Sequence, residues 1–550
     1  MTAGDDGVRD GPGNRDTDGS REPARRPPLS RRRVIGLFIA AAATIVAAVL
    51  ARVRQLAAPR DPTAPTGSTW GTGGLVLLDI AGADGELLDF DGVLEVQTNG
   101  GGEDARDDAL LDAETLELIE LAPLQRHAEA SAAVQLPAGR TACLNLSWPT
   151  SHGYSALLVD LPGPGHYALA ELAARGLHEA QEDVQTRMRA TGSEAREVDV
   201  LRTRTARALQ ECDAAAAPAE RAISANSALE AATAAQLAQD EAASGLGPED
   251  AMLGVTFTAA PASGRSAQAV SRLEGAGRTV LVRIVVEDTD AVDEMDGWRR
   301  CVTELHEAGA QVMVQICDSQ ALVDFDEAAW TRRIAALIAA FPDADAWEIG
   351  NELAGEWAGS DAVERTLQAA RALAADPATA SAPRLLTLYY QLGQGTATES
   401  VMSWAAANLG EELTELTDVV GLSVYPQWHP LGSGARRVLD ALGRVVGDKR
   451  TALTELGYGA EDLNDGPWWF GSPDDVEAGR AAVARHLTAA ALGQPRAWAA
   501  PLWWYYLQDE GVIAPDTQDA PGLSGQEDGE DGSGAVAQDL VEAARIEASD

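Results

Sequence analysis

Cysteine is scarce in this chain. Four occur in 550 residues, at 143, 212, 301 and 317, and no two form a CxxC pair. That argues against a thiolate zinc site, which needs closely spaced ligands. Basic residues are scarce too: 42 Lys and Arg stand against 85 Asp and Glu, a net charge of -43. A surface of that sign excludes nucleic acid as a partner, because phosphates demand a basic face. No repeat of fixed period runs through the chain, which excludes a solenoid or propeller. What is present is 45% apolar residue content, enough to bury sizeable cores. The length points to two or three domains.

The first sixty residues reverse the charge balance, with eleven Arg against six acidic residues. This basic head precedes Val34–Ala51, an uncharged stretch that would span roughly 27 Å as a helix, close to the hydrocarbon thickness of a bilayer. Arg25, Arg26, Arg31, Arg32 and Arg33 on one side place the amino terminus in the cytoplasm and the body outside. Two readings remain open. Ser30-Arg31-Arg32-Arg33 is similar to a twin-arginine export signal, with Val49-Leu50-Ala51 as its cleavage site. The apolar run exceeds the usual signal core of about 7–15 residues, which favours an uncleaved transmembrane anchor. An exported body permits disulfides. Cys301 and Cys317 are placed to bridge, and four buried free thiols is the equal alternative.

The rest divides by composition. Residues 1–33 are a polar, basic, disordered segment, 34–51 the membrane helix or signal, and 52–73 a linker. Residues 74–165 carry short apolar runs, Leu75–Ile80, Val93–Val96, Ala132–Leu136, Ala142–Trp148 and Ala156–Leu161, separated by Gly, Asp and Pro. They read as a small β-sandwich-like domain. Residues 166–245 are rich in Ala, Glu and Arg, a helical composition with a break near Ala217-Pro218. From 250 to 550 strands and helices alternate. Eight apolar runs begin at Leu253, Thr279, Gln311, Ala346, Leu385, Val419, Thr451 and Ala500. Eight strand–helix units in this length fit a (β/α)8 TIM barrel. Their apolar runs are continuous, as in a parallel sheet covered on both faces.

Barrel enzymes build their sites at the carboxyl ends of the strands. Strand four, Trp347-Glu348-Ile349-Gly350-Asn351-Glu352, ends in Asn-Glu, and strand seven, Thr451-Ala452-Leu453-Thr454-Glu455, ends in a second glutamate. Strand six ends in Tyr425, strand two carries Arg283, and strand eight carries Trp503-Trp504. Two carboxyls facing each other across a barrel mouth suit glycosidic bond cleavage, in which one protonates the leaving oxygen and the other attacks the anomeric carbon. Glu348 also points into the barrel and reads as a structural partner of Arg283. Eleven of the thirteen Trp follow residue 290. Trp357, Trp428, Trp468, Trp469, Trp503 and Trp504 fall in or beside strand-end loops, where indole faces stack on pyranose rings. Trp298, Trp330, Trp404 and Trp498 read as core. Side chains alternate along a strand, so only one of Trp503 and Trp504 faces inward.

With these residues in place, the stretch 253–548 resembles clan A of the retaining glycoside hydrolases, nearest the family 39-like and family 5-like barrels. The resemblance implies that Glu352 is the acid/base and Glu455 the nucleophile, and it selects Trp504 as the inward tryptophan. Arg283, Asn351, Tyr425, Trp504 and Trp428 would bind or position substrate, Asn351 at the sugar 2-hydroxyl. No metal or organic cofactor is required. Two departures stand out: Ser423 occupies the place of a frequent His two residues before the strand-six Tyr, and Leu353 that of a frequent Pro. The expected function is hydrolysis of an extracellular oligo- or polysaccharide by double displacement, with a carbohydrate as partner and the membrane contacted through the amino-terminal helix. The alternatives are a glycan-binding or scaffold protein with a degenerate barrel, and a transglycosylase using the same residues. Oligomeric state is not set by these features.

Overall fold

The computed structural model describes residues 73–102, 105–193, 195–458, 466–513 and 535–545. The expected cytoplasmic segment, membrane helix and nearly all of the linker lie outside them. Among the described residues no helix is long and apolar enough to cross a membrane.

Strands β8 to β15 form a closed, wholly parallel barrel. They are Met252–Phe257, Val280–Val285, Gln311–Gln315, Ala346–Leu353, Arg384–Tyr389, Val419–Val424, Arg450–Leu456 and Ala499–Trp503, which correspond to barrel strands one to eight. Nearly every residue in them is buried. Met252, Leu281, Met313, Ala346, Leu385, Val419, Ala452 and Trp498 pack together as an apolar floor inside the barrel, one residue from each strand or the residue leading into it. Period-two alternation then places Arg283 and Glu348 one step above that floor, inside the barrel and fully buried. The outward-facing alternates, such as Val282, Val312 and Leu386, pack against the surrounding helices.

The segment before the barrel is built from strands β1 to β7. A three-stranded sheet has the order β4 (Ala132–Gln135), β1 (Leu75–Asp79), β7 (Gly165–Ala168), and a four-stranded antiparallel sheet has the order β3 (Leu118–Leu121), β2 (Ala109–Asp112), β5 (Ala142–Thr150), β6 (Gly153–Leu161). Residues from both sheets share one core with three helices, α2 (Leu169–Thr191), α3 (Arg196–Asp213) and α4 (Pro218–Ala242). The run Val93–Val96, expected as a strand, lies instead in helix α1 (Phe90–Gln97), whose start is capped by the Asp89 carboxylate accepting the Gly92 N–H. The helical stretch is three helices with two breaks, the second at Pro218 in the first turn of α4, where a missing N–H costs nothing.

This segment docks on the barrel beside its carboxyl-end loops. The Trp468 indole N–H donates to the Gln97 carbonyl, Tyr154 N–H to Trp469 O, and Gly471 N–H to His152 O. A Cβ at Gly393 would sit 2.2 Å from the Asp107 carbonyl oxygen, so only glycine permits that approach. Deeper in the joint, Arg436 donates to the buried Asp240 of α4. All four cysteines are buried free thiols, Cys301 beside Ser266 and Cys317 against the Asp318 carbonyl.

Candidate active site

Consecutive strand residues normally face opposite ways, yet Asn351 and Glu352 both turn toward the barrel mouth. Two local features accomplish this. The pairing of β11 with β12 shifts register on both sides of Gly350. Glu352 itself adopts a left-handed backbone, φ 48°, a conformation that costs about 1–2 kcal/mol in a residue bearing a Cβ. Strain of this kind collects at functional sites. On β14 a register shift against β13, after Leu422, likewise accompanies the presentation of Glu455 opposite Ser423.

The two glutamates meet different surroundings. Glu455 accepts from the Arg283 guanidinium at 2.8 Å, from the Tyr425 hydroxyl at 2.6 Å and from the Asn351 amide at 3.3 Å. Arg283 also spans to Glu348 at 3.3 Å and donates to the Thr256 hydroxyl. Burial works against the guanidinium charge, but Glu348 and Glu455 outweigh it and hold its pKa above the ordinary value. Glu348, fully buried and also bonded by the Thr387 hydroxyl, has its pKa raised by burial despite Arg283. Glu348 is thus the structural counter-charge expected of it.

Among the described residues Glu352 has no cation beside it. As a carboxylate it accepts from two hydroxyls, Ser319 Oγ at 2.8 Å and Ser423 Oγ at 2.7 Å. Burial first, then the Glu455 charge, raises its pKa well above the carboxylate range, and Asp318 adds to the rise. Tyr425 is also pushed up, by burial and by Glu455. Asn351 is oriented by the Ser319 backbone N–H, which donates to its Oδ1 and leaves its amide N–H groups directed at Glu455 and Glu348.

Trp504 lies with its ring 5.2 Å from the Arg283 guanidinium carbon, half-exposed at the mouth. Trp503 is buried and donates to Asp509. Trp428 is half-buried in the turn after Tyr425, its N–H on the Tyr425 carbonyl, and no contact ties its indole to the carboxyl pair among the described residues. Trp468 and Trp469, expected in a sugar-facing loop, belong to the joint with the preceding segment, Trp469 meeting Tyr154 edge-on. The wall on the Glu352 side is Trp357, Tyr389 and His429 in successive edge-to-face contact. Burial lowers the His429 pKa to about 3, which leaves that ring neutral.

Three site residues escape a reading of strand ends alone. Asp318 and Ser319 begin the short helix after β10, and Asp318, with a pKa raised to about 6 chiefly by burial, is a third carboxyl at the mouth. Ser423 is visible in the sequence only as a departure from a family pattern, whereas here it bonds Glu352.

No family model matches the chain, and no curated protein matches it. Among solved structures it is similar to fungal β-1,4-galactanases, at 15% identity and TM-score 0.37, over 53% of this chain and 95% of that one. It is also similar to a GH5_18 protein from Streptomyces cattleya in complex with Manb1-4GlcNAc, at 12% identity and TM-score 0.31, over 46% and 70%. A mandelate racemase/muconate lactonizing protein from Herpetosiphon aurantiacus is similar at 12% identity and TM-score 0.27, over 72% and 88%. Glycoside hydrolases thus stand among the structural neighbours, together with a mandelate racemase/muconate lactonizing protein.

Proposed function

We propose that this chain is a retaining glycoside hydrolase in which Glu352 is the acid/base and Glu455 the nucleophile. One observation carries the reading: two carboxyls converge at one barrel end with opposite partners, hydroxyls and, among the described residues, no cation for Glu352, a guanidinium and a phenol for Glu455. Paired acids in environments that separate them are what acid/base assignment requires.

In the first step Glu352 gives its proton to the glycosidic oxygen, the C1–O bond breaks, and Glu455 attacks C1. In the second, ionised Glu352 takes a proton from water, which displaces Glu455. Retention calls for carboxyls about 5–5.5 Å apart. Arg283 and Tyr425 hold Glu455 in line, and the Asn351 amide is presented where the 2-hydroxyl would lie. The one guanidinium of the site among the described residues, Arg283, is already engaged by Glu348 and Glu455, and Asp318 adds negative charge. The sugar at the reacting position is therefore neutral rather than a uronate. The uncharged stretch 34–51, behind its basic head, would anchor the body outside the cell, where polysaccharide is met.

The test is a panel of neutral and uronate polysaccharides and aryl glycosides, with Glu455→Gln as control. Cleavage of a neutral glycan with retained anomeric configuration, absent in the control, is expected. Inverted product, or equal activity in the control, would contradict the assignment.

A further inference from the structure

Glu352 is held by more than the hydroxyls that touch it. Ser319 Oγ, which donates to Glu352 Oε2, itself receives the Trp357 indole N–H at 2.9 Å. Trp357 can lie there because residue 355 is glycine: a Cβ at that position would come within 2.5 Å of the indole ring. Tyr389 braces the ring from the side, centroids 4.7 Å apart.

We propose that Trp357, acting through Ser319, determines which oxygen of Glu352 carries the acid proton. An indole N–H only donates, so Ser319 Oγ must accept from it. The one hydroxyl proton of Ser319 is then left for Glu352 Oε2. That oxygen already receives a proton and is the carbonyl oxygen of the neutral acid. The acid proton resides on Oε1, beside Ser423. No other hydrogen bond of Ser423 Oγ is seen among the described residues, so its hydroxyl is free to turn. It accepts from Oε1–H while the acid is neutral. When that proton passes to the leaving oxygen and the C1–O bond breaks, it swings round and donates to the new carboxylate. Trp357 and Ser319 are positioning residues; neither receives or gives the transferred proton. The other titratable groups facing this carboxyl are Glu455 from β14, Asp318 from the end of β10 and Tyr425 from the end of β13, and the relay touches none of them.

The proposal rests on Glu352 being the acid/base, so its test has one readout that needs no turnover. In the full chain, the protonated-carboxyl infrared band of Glu352 is titrated by difference against Glu352→Gln. Ser319→Ala deletes a donor to the ionised form, and the Glu352 pKa should rise. Trp357→Phe keeps an aromatic face against Tyr389 and deletes only the N–H, so a smaller rise is expected. If Trp357 acts through Ser319, the double variant matches Ser319→Ala alone. The second readout is leaving-group dependence. Both single variants should lose about tenfold in kcat/KM on alkyl or sugar leaving groups and far less on dinitrophenyl glycosides, which need little protonation. The alkaline limb should move up with the infrared pKa.

An unshifted titration in Ser319→Ala, or effects of the two substitutions that simply add, would overturn the relay. Equal losses on both leaving groups with an unmoved limb would overturn it as well, since that is the mark of a structural role. If the titrations shift as expected but wild type cleaves no glycoside, the relay stands and the hydrolase reading falls.

Discussion

The two ends of the barrel lumen are made from the same eight strands and do opposite things. At the floor Met252, Leu281, Met313, Leu385 and Val419 meet with no polar side chain among them. One step up, Arg283 and Glu348 are no more exposed than the floor, and above them stand Glu352, Glu455 and Asn351, all less than a tenth exposed. Burial costs nothing at the floor and a great deal at the mouth, where charge must be paired or suppressed. Arg283 pairs two of the carboxylates. Glu352 has no cation among the described residues, and its charge is suppressed instead. The asymmetry between the two carboxyls thus follows from having, among the described residues, one cation for several buried acids.

The largest effect should come from breaking the mouth at Glu455. Glu455→Ala removes the attacking oxygen, and kcat/KM should fall roughly 10⁴-fold or more on every substrate. Glu352→Ala should fall as far on unactivated glycosides yet keep its first step on a dinitrophenyl glycoside, with azide restoring turnover as a glycosyl azide of retained configuration. Steady-state kinetics with and without azide check both. Equal losses without rescue would mean that the two carboxyls of the mouth have been given the wrong chemistry.

Arg283→Met attacks the pairing itself. It leaves Glu348 and Glu455 buried without their cation, and the expected loss is about 3–5 kcal/mol of stability, read by denaturant unfolding. Replacing Glu348 with Gln in the same chain should recover part of it, because one of the stranded charges is gone. Failure to recover any would show that the ion pair is not what the guanidinium contributes. The floor answers to a different substitution. Leu281→Ala should cost about 3 kcal/mol through lost transfer energy and a cavity. Well below the melting temperature it should leave the pH dependence of kcat/KM in place, and a shifted alkaline limb would mean that floor and mouth are coupled.

The smallest effect sharpens the comparison from outside the lumen. Asp107, at the joint with the barrel, is another buried carboxyl with no cation beside it among the described residues. Burial raises its pKa to about 7 although the Ser147 N–H and hydroxyl both donate to it. A folded pKa above the unfolded value, about 3.9, means that its stability contribution is complete below that value and is lost as pH rises through about 7. Asp107→Asn should therefore stabilise on the order of 2 kcal/mol at pH 8 and by almost nothing near pH 4. Melting curves at the two pH values check the sign.

Most of this architecture is legible in the sequence because its signals are local. The eight continuous apolar runs mark strands covered on both faces, and Asn351-Glu352 and Glu455 fall at strand ends. The side chains that tune the site are set by backbone detail that no run of residues announces. Asp318 and Ser319 look like the start of a loop after Cys317, and only the short helix that follows turns them onto Glu352 and Asn351. The same holds for the joint: Trp468 and Trp469 occupy a strand-end loop as expected, but packing against Gln97 and Tyr154, more than 300 residues earlier in the chain, claims their rings. Val93–Val96 is too short a run to separate strand from helix by periodicity, and its deciding signal is the Asp89 cap.

The most direct test of the central claim is to catch the covalent state. Glu352→Ala, incubated with a dinitrophenyl glycoside of the sugar that wild type accepts, should form a glycosyl-enzyme that cannot be hydrolysed quickly. Intact-mass spectrometry should show one added glycosyl unit, peptide mapping should place it on Glu455, and azide should remove it. Release of dinitrophenol with no adduct, or an adduct on any other residue, would contradict the account.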